Sequence, residues 1–159
     1  MRPSPAHERG QPTFEYSRIT SRIWIGTNQC CTTHFSHTLR RLGIVADVSL
    51  EAEQLDAAYG TEVFLWLPVR DHRAPTPVQL RVGVHALAAL VAAGQRVYVH
   101  CKNGHGRAPT LVAAYLIASE GLTVAQAVAR IRARRPHIHL EPIQLRALER
   151  FARATPGVR

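Results

Sequence analysis

A predicted strand, a glycine-rich loop and a predicted helix follow one another without a break across residues 96–117, and this order constrains the fold more than any other feature of the chain. Residues 97–99, Val-Tyr-Val, are β-branched and aromatic, which predicts a buried strand. Residues 111–117 are apolar and rich in alanine and leucine, which predicts a helix. Loop amides between two such elements, together with the positive end of the helix, favour a bound anion. We therefore expect an anion site at residues 100–107.

The loop carries side chains suited to attack on a phosphoryl group. Cys101 and Arg107 lie six positions apart, with Gly104 and Gly106 between them. Glycine allows backbone angles that turn successive amides toward one oxyanion, and the arginine fork matches two phosphate oxygens. A cysteine in such a positive site is favoured as the nucleophilic thiolate. We expect Cys101 to be the nucleophile, and Arg107 with the loop amides to bind phosphate.

The remaining side chains of the loop are less specific indicators. His100 is expected to hold the loop from behind by hydrogen bonding. Lys102, Asn103 and His105 are candidate substrate contacts, and each is equally well explained as a solvated loop residue. Because the positive loop neutralises phosphate charge by itself, this interpretation requires no metal ion and no other cofactor.

Predicted strands and helices alternate along the whole chain. This alternation predicts one α/β domain at residues 14–155, with a central, mostly parallel, twisted sheet and helices on both faces. The apolar run at 63–69 is expected to be a strand buried on both faces. Residues 1–13 hold three prolines and are expected to form a mobile tail. Further strands are predicted within 14–26, at 44–50 and at 97–99. Helices are predicted at 32–42, 51–59 and 77–93, from a first turn that contains Arg107 to Gly121, after residue 123 and from residue 142 on.

The charge of the chain favours anionic partners. Twenty lysines and arginines against eleven acidic residues leave a formal charge of +9. Phosphoesters, an acidic membrane surface and nucleic acid all fit such a charge. Lys102 is the only lysine, and no basic run is interleaved with aromatic residues, so we expect no nucleic-acid partner.

The three cysteines do not form a disulfide framework on their count and spacing. Cys30 and Cys31 are adjacent, and we interpret them as two loop or helix-cap cysteines, with a redox pair as the alternative. No apolar run approaches the roughly 18 residues of a membrane span, and the N-terminus lacks the apolar core of a secretion signal. These features predict a cytoplasmic protein. The histidine pairs 34/37 and 137/139 lack thiol or carboxylate companions, so no metal site is predicted.

The stretch HCKNGHGRAPTLVAAYLI resembles the signature of cysteine-dependent, dual-specificity-type phosphatases. It is most similar to the branch that includes the phosphatidylglycerophosphate phosphatases of mitochondria and plants. Similarity extends upstream through LPVRDHRAPTP and downstream through IRARRPHIHLEPIQLRALERF, which covers most of residues 14–153. The resemblance implies hydrolysis of phosphomonoesters through a phosphocysteine intermediate. One departure is Ala108, where the family usually has serine or threonine after the arginine.

Expulsion of an alkoxide or phenoxide from phosphorus requires a proton donor beside the loop. Asp71 follows the predicted strand at 63–69, thirty residues before Cys101, on a loop bounded by Pro68 and Pro75. The resembling family places its general acid in the matching stretch. Asp47 is the competitor, but it lies inside a predicted strand and is interpreted as structural. We therefore expect Asp71 to act as the general acid and base.

The substrate is less constrained than the chemistry. Lys102 beside the nucleophile, the basic charge and the branch resemblance favour a phospholipid head group, such as phosphatidylglycerophosphate or a phosphoinositide, with peripheral contact to an anionic membrane. The rival hypothesis within the enzyme class is a protein tyrosine or dual-specificity phosphatase. Outside that class, Ala108 suggests a phosphate-binding pseudo-enzyme, and Cys101 with Cys30 or Cys31 suggests a thiol redox protein.

Overall fold

A computed structural model describes residues 10–156 of the chain, which form a five-stranded sheet and five α-helices. The sheet order is β1-β2-β5-β3-β4, with β1 antiparallel to β2 and every other neighbouring pair parallel. The strands are β1 (Tyr16–Arg18), β2 (Ile23–Gly26), β3 (Ile44–Glu51), β4 (Val63–Val69) and β5 (Arg96–His100), and the helices are α1 (His37–Arg41), α2 (Pro77–Ala92), α3 (Arg107–Glu120), α4 (Val124–Arg134) and α5 (Pro142–Ala154). The predicted mixed, mostly parallel α/β fold is confirmed.

Both faces of the sheet are covered, but unequally. Side chains alternate between faces along a strand, so Ile23 and Ile25 of β2 enter the larger core while Trp24 enters the smaller one. Helices α2 to α5 supply the larger core, and α1 with a short 3-10 turn at Asn28–Cys30 supplies the smaller. The central strand β5 contributes to both cores, and its carboxyl end therefore has a rigid position.

The longer helices begin at residues that the sequence marks as caps. Thr76 before α2 and Thr123 before α4 each form a capping box, in which the threonine hydroxyl accepts from the third helical amide and a glutamine returns the bond. Pro142 occupies the first turn of α5. Gly121 ends α3 in the left-handed conformation. The predictions of these helices are confirmed to within one or two residues.

Strand β4 is an edge strand, so the prediction that residues 63–69 are buried on both faces is wrong. Phe64 is 37% exposed and Trp66 is 40% exposed. Only β3 pairs with β4 among the strands of residues 10–156, which leaves its other edge unpaired. The indole nitrogen of Trp66 donates to the carbonyl of Glu51 at 2.8 Å, which accounts for an aromatic residue on this edge.

The helix predicted at residues 51–59 does not form. Glu51 is the last residue of β3, and an irregular loop follows. Tertiary hydrogen bonds hold the loop in place, from the Ala57 amide to the Cys31 carbonyl and from the Phe35 amide to the Tyr59 carbonyl, both at 2.9 Å. Asp56 in the middle of the loop is buried. These contacts with distant parts of the chain replace the local hydrogen bonds of a helix.

Helix α1 is shorter than the predicted span 32–42, because Ser36 caps it and accepts a hydrogen bond from the Leu39 amide. Cys30 and Cys31 precede it and form a disulfide with each other. Cys30 ends the 3-10 turn and Cys31 caps it, which agrees with their interpretation as loop or helix-cap cysteines, and the disulfide links them as a pair. Cys101 is the free cysteine of the chain.

The predicted mobile tail lies largely outside the described residues, since only its last four residues fall within them. Within residues 10–13, Pro12 is buried and the Thr13 carbonyl accepts from the Thr27 hydroxyl at 2.9 Å. Among residues 10–156, no helix combines the length and the apolar character needed to cross a membrane.

Candidate active site

The site lies where the central strand β5 passes into helix α3. Residues 101–106, the cysteine loop, connect His100 at the end of β5 to Arg107 at the start of α3. Cys101 is 3% exposed and its thiol is free. A parallel sheet presents the carboxyl ends of its strands at one edge, so β3 and β4 also deliver their following loops to this place.

Four successive carbonyl groups of the cysteine loop are bonded to surrounding parts of the fold. Lys102 O accepts from the Asn28 amide at 3.1 Å and His105 O from the His139 amide at 2.7 Å. The carbonyls of Asn103 and Gly104 accept from one guanidinium, each at 2.8 Å. In a trans peptide the N–H of the next residue points opposite to the carbonyl. The amides that follow these carbonyls are therefore directed toward the interior of the loop, as phosphate binding requires.

The guanidinium that holds the loop belongs to Arg135, a residue that no sequence motif singled out. Its side chain is buried, and it donates to the cysteine loop through Nε and Nη2. It also donates to Ser17 Oγ in β1 and to Glu15 Oε1 just before β1. Arg135 directly follows α4 and precedes Pro136, which ends the helix. This place at the end of the helix is the one feature of the sequence that distinguishes Arg135 from the exposed arginines before it.

Gly104 is the residue at which the loop requires glycine. Its φ is +66°, and a Cβ there would lie 2.5 Å from the Gly26 carbonyl oxygen and 2.9 Å from Arg135 Nη2. The left-handed conformation and the close backbone approach both exclude a side chain. The loop can therefore lie directly against β2, which fixes its height above the sheet.

Arg107 connects the cysteine loop to two acidic side chains. Its Nη1 donates to Glu53 Oε2 and to the Val69 carbonyl, both at 2.7 Å, and its Nη2 lies 3.4 Å from Asp71 Oδ1. Burial lowers the pKa of Arg107, but the charges of Cys101, Glu53 and Asp71 raise it by more. The guanidinium is therefore a fixed positive charge beside the thiol.

Glu53 is the second site residue that no sequence motif singled out. Its Oε1 accepts from the Asp71 amide at 2.7 Å while its Oε2 binds Arg107. Partial burial raises its pKa, but the hydrogen bonds from Arg107 and from the Asp71 amide outweigh that and hold the pKa of Glu53 below its ordinary value. It lies in the segment predicted as a helix, and no local pattern there indicates a contact with Arg107.

Asp71 lies on an exposed loop beside Arg107. Its side chain is 51% exposed, in residues 70–76, which we name the acid loop. Gln144 Nε2 donates to the Arg73 carbonyl in the middle of this loop, and Gln79 Nε2 donates to the Pro68 carbonyl near the end of β4, both at 2.9 Å. The rival candidate Asp47 is fully buried in β3. The structure therefore brings Asp71, and not Asp47, to an accessible position next to Arg107.

His100 lies behind the loop in a buried charged cluster. Its Nε2 lies 2.7 Å from Asp56 Oδ2, 3.1 Å from Asp47 Oδ1 and 3.7 Å from Cys31 Sγ, and its Nδ1 lies 3.3 Å from the Cys101 carbonyl. Burial lowers the pKa of His100, but the two aspartates hold it well above its ordinary value. Burial raises the pKa of Asp47 to about 6, although His100 lowers it. A protonated imidazole donates from both nitrogens, to the aspartates and to the loop.

Within residues 10–156, this cluster also has donor atoms close enough to share a metal ion. The donor atoms of Cys30, Cys31, Asp47, Asp56 and His100 lie within 4.8 Å of one another. The two sulfurs are bonded to each other, and His100 is engaged by both aspartates. His100, Asp47 and Asp56 therefore form a buried ion-paired support for the loop, in which Asp47 Oδ2 and Asp56 Oδ1 have no hydrogen-bond partner among the described residues.

The remaining loop candidates differ in exposure. Lys102 and Asn103 are half-buried, whereas His105 is 4% exposed, with its Nε2 4.0 Å from Glu15 Oε1. Ala108 is fully buried in the larger core. The Thr110 hydroxyl donates its hydrogen to the Gly106 carbonyl at 2.7 Å. A threonine hydroxyl has one hydrogen, so Thr110 does not supply the donor that Ala108 lacks.

Residues 23–154 match the family described as dual specificity phosphatase, catalytic domain. The chain belongs to the dual-specificity phosphatase family. A relative, the phosphatidylglycerophosphate phosphatase PTPMT2 of Arabidopsis thaliana, is 35% identical over 123 residues, which cover 72% of this chain and 54% of that protein.

Two solved structures of dual-specificity phosphatases illustrate the shared fold. The crystal structure of PTPMT1 in complex with PI(5)P has a TM-score of 0.73 at 28% identity and covers 87% of this chain and 95% of that one. A crystal structure of a human DUSP28 variant has a TM-score of 0.79 at 25% identity and covers 87% and 94% of the two chains. The chain spans about half the length of the curated relatives it matches, with 54% of the Arabidopsis protein and 40% of a mouse relative.

Proposed function

We propose that this protein hydrolyses phosphate monoesters through a phosphocysteine intermediate. The observation that carries the proposal is a free thiol, Cys101, at the base of a loop whose carbonyl groups are bonded outward and whose amides therefore face inward. Arg107 adds a fixed positive charge at the edge of that loop. Inward amides and a guanidinium stabilise the equatorial oxygens of a phosphoryl group in transfer.

In the first step, the Cys101 thiolate attacks phosphorus and forms the S–P bond. The bond from phosphorus to the leaving oxygen breaks, and Asp71 gives its proton to that oxygen. Glu53 is the other acid near Arg107, but both of its oxygens accept hydrogen bonds and its pKa is lowered. A carboxylate held ionised in this way is a poor proton donor, so we assign the acid role to Asp71.

In the second step, a water molecule attacks phosphorus while Asp71, now a carboxylate, takes a proton from it. The S–P bond breaks, inorganic phosphate forms, and Cys101 returns as the thiolate. Each transition state gathers charge on the same equatorial oxygens, so one loop serves both steps. The chain's own cations perform the charge neutralisation, and no step requires a metal ion.

We further propose a phospholipid head group as the substrate. The Arabidopsis relative is named a phosphatidylglycerophosphate phosphatase, and the PTPMT1 structure holds PI(5)P. The formal charge of +9 supports peripheral contact with an anionic membrane surface. A phosphoprotein substrate is the alternative that the test must distinguish. The cytoplasmic location stays a prediction from the sequence.

The decisive experiment is a phosphate-release panel that compares phosphatidylglycerophosphate, a phosphoinositide, phosphotyrosine peptides and a small aryl phosphate. We expect turnover of all phosphomonoesters with the highest kcat/KM for a phospholipid. Cys101→Ser is expected to abolish turnover and still bind a phosphate analogue, because an alcohol is a far weaker nucleophile than a thiolate.

The double variant Cys30→Ser/Cys31→Ser serves as the control, since it removes the disulfide and leaves the nucleophile. We expect it to retain turnover. Activity of Cys101→Ser would disprove the phosphocysteine mechanism, and a preference of more than about tenfold for a phosphopeptide would replace the lipid by a phosphoprotein substrate.

A further inference from the structure

An apolar groove lies between the first turns of α2 and the second half of α5, outside the site described above. It encloses about 250 Å³. Leu80 and Phe151 supply its apolar walls, and Arg81 and Arg150 line it as well.

The groove is continuous with the acid loop. Pro75, near the end of the acid loop, is one of its lining residues. Helix α5 connects the active site to the groove. Gln144 near its start holds the acid loop and lies against Gly106 of the cysteine loop. Residues of the same helix between Ala147 and Ala154 line the groove. At a rise of 1.5 Å per residue, the groove begins about 4.5 Å and ends about 15 Å along the helix axis from Gln144.

The two arginines of the groove have no acidic partner. Neither Arg81 nor Arg150 forms an ion pair with another of residues 10–156, and both are exposed. Cations at the rim of an apolar cleft complement a ligand with an anionic or strongly polar end and a hydrocarbon end. The cavity is smaller than the ~300–1,000 Å³ of most small-molecule pockets, which suits a single hydrocarbon chain.

From these observations we propose that the α2–α5 groove binds an acyl chain of a phospholipid whose head-group phosphate occupies the cysteine loop. The inference rests on the proposed function for the identity of the head group. The hydrolysed phosphate and the hydrocarbon are separated by the rest of the head group, the phosphodiester and the glycerol backbone, and in this proposal these parts of the lipid pass over the acid loop near Pro75. Arg81 and Arg150 then face the polar backbone of the lipid, and the chain lies between Leu80 and Phe151.

The test uses water-soluble phosphoinositide monophosphates with dibutanoyl, dihexanoyl and dioctanoyl chains, each below its critical micelle concentration so that no membrane surface contributes. Each methylene that enters the groove is expected to raise kcat/KM about fourfold, which is ~0.8 kcal/mol per buried CH₂ converted at ~1.4 kcal/mol per factor of ten. Two added methylenes in one chain therefore give a rise of about 14-fold from dibutanoyl to dihexanoyl.

Ala154→Trp, at the exposed end of α5, should fill the groove and remove this dependence on chain length, and Thr155→Trp should do the same. Ala133→Trp, on the exposed face of α4 and away from the groove, is the matched control and should keep the dependence. Turnover of a small aryl phosphate should be unchanged in all three variants, which shows that they fold and that the cysteine loop is intact.

Rates that do not depend on chain length in the unaltered protein, or a dependence that survives both blocking variants, would overturn the proposal. If kcat/KM depends on acyl-chain length only after residues 157–159 are removed, that segment is the occupant of the groove, and the proposal is overturned as well. If no phospholipid is hydrolysed, the proposed lipid substrate is wrong, but the groove can still be tested on its own. Binding of a dansyl-labelled decanoate then shows whether the groove accepts an acyl chain. Binding to the unaltered protein but not to Ala154→Trp supports an acyl site, and equal or absent binding refutes it.

Discussion

Arg107 and Glu53 form a 2.7 Å hydrogen-bonded ion pair that joins helix α3 to the loop after β3. The second carboxylate oxygen of Glu53 holds the amide of Asp71, so one side chain aligns the phosphate-binding arginine with the proposed acid. Fifty-four residues separate the members of the pair. The geometry of the site therefore depends on contacts that no local motif contains.

The Glu53 pair predicts a pH dependence of stability. The pKa of Glu53 lies below its ordinary value of 4.5 in the folded protein, so its contribution is present above that pH and is lost as pH falls through the folded-state pKa. Glu53→Gln should lower the unfolding free energy at pH 7 and lower it by less at pH 3. Urea unfolding at both pH values measures this. An equal loss at both would show that the charge of Glu53 is unimportant.

Asp71→Asn should lower kcat by about 10²- to 10⁴-fold for alkyl phosphates, the usual effect of a lost acid–base group. The loss should be much smaller for aryl phosphates with good leaving groups, because these depart with little protonation. A leaving-group series at fixed pH measures the difference. The same loss for alkyl and aryl substrates would exclude Asp71 as the general acid.

Arg135→Ala should weaken both the fold and the cysteine loop. A buried acceptor left without its donor costs about 1–3 kcal/mol, and the freed Asn103 and Gly104 carbonyls no longer have a fixed direction. We therefore expect a lower unfolding free energy and weaker inhibition by tungstate. Arg134→Ala, one position earlier and exposed, is the control and should change stability by no more than about 0.5 kcal/mol. Similar behaviour of the two variants would contradict a positioning role for Arg135.

Ala108 predicts accumulation of the phosphocysteine. A hydroxyl at this position in related proteins is expected to stabilise the departing thiolate, and Thr110 is already committed to the Gly106 carbonyl. A hydrogen bond to a charged group contributes about 1.5–3 kcal/mol, or roughly 10- to 150-fold in the rate of the second step. Rapid quench should show a burst of product, and Ala108→Ser should remove the burst and raise kcat. No burst in the unaltered protein and no gain in the variant would show that Ala108 has no effect.

The strand, cysteine loop and helix were predictable from sequence because their information is local. Residues 96–120 contain the apolar strand, the glycines and the helix-forming run in one continuous segment, and the mostly parallel sheet followed from the alternation of such segments. Cys101 and Arg107 belong to that segment, and their placement at the two ends of one loop needs no distant contact. Asp71 was also predictable as a loop residue that follows a strand of the sheet.

Tertiary structure decided the parts of the molecule that depend on pairing between distant segments. An apolar run such as residues 63–69 does not reveal whether it has one neighbouring strand or two, and only the sheet order leaves β4 at the edge. The segment after β3 has helix-forming residues, yet the contacts of Glu53 and Asp56 with Arg107 and His100 outweigh local hydrogen bonding. Arg135 is one arginine among several in sequence, and only the packing of α4 against the cysteine loop buries it there. Burial and long-range hydrogen bonds are properties of the folded chain, and they cannot be derived from neighbouring residues alone.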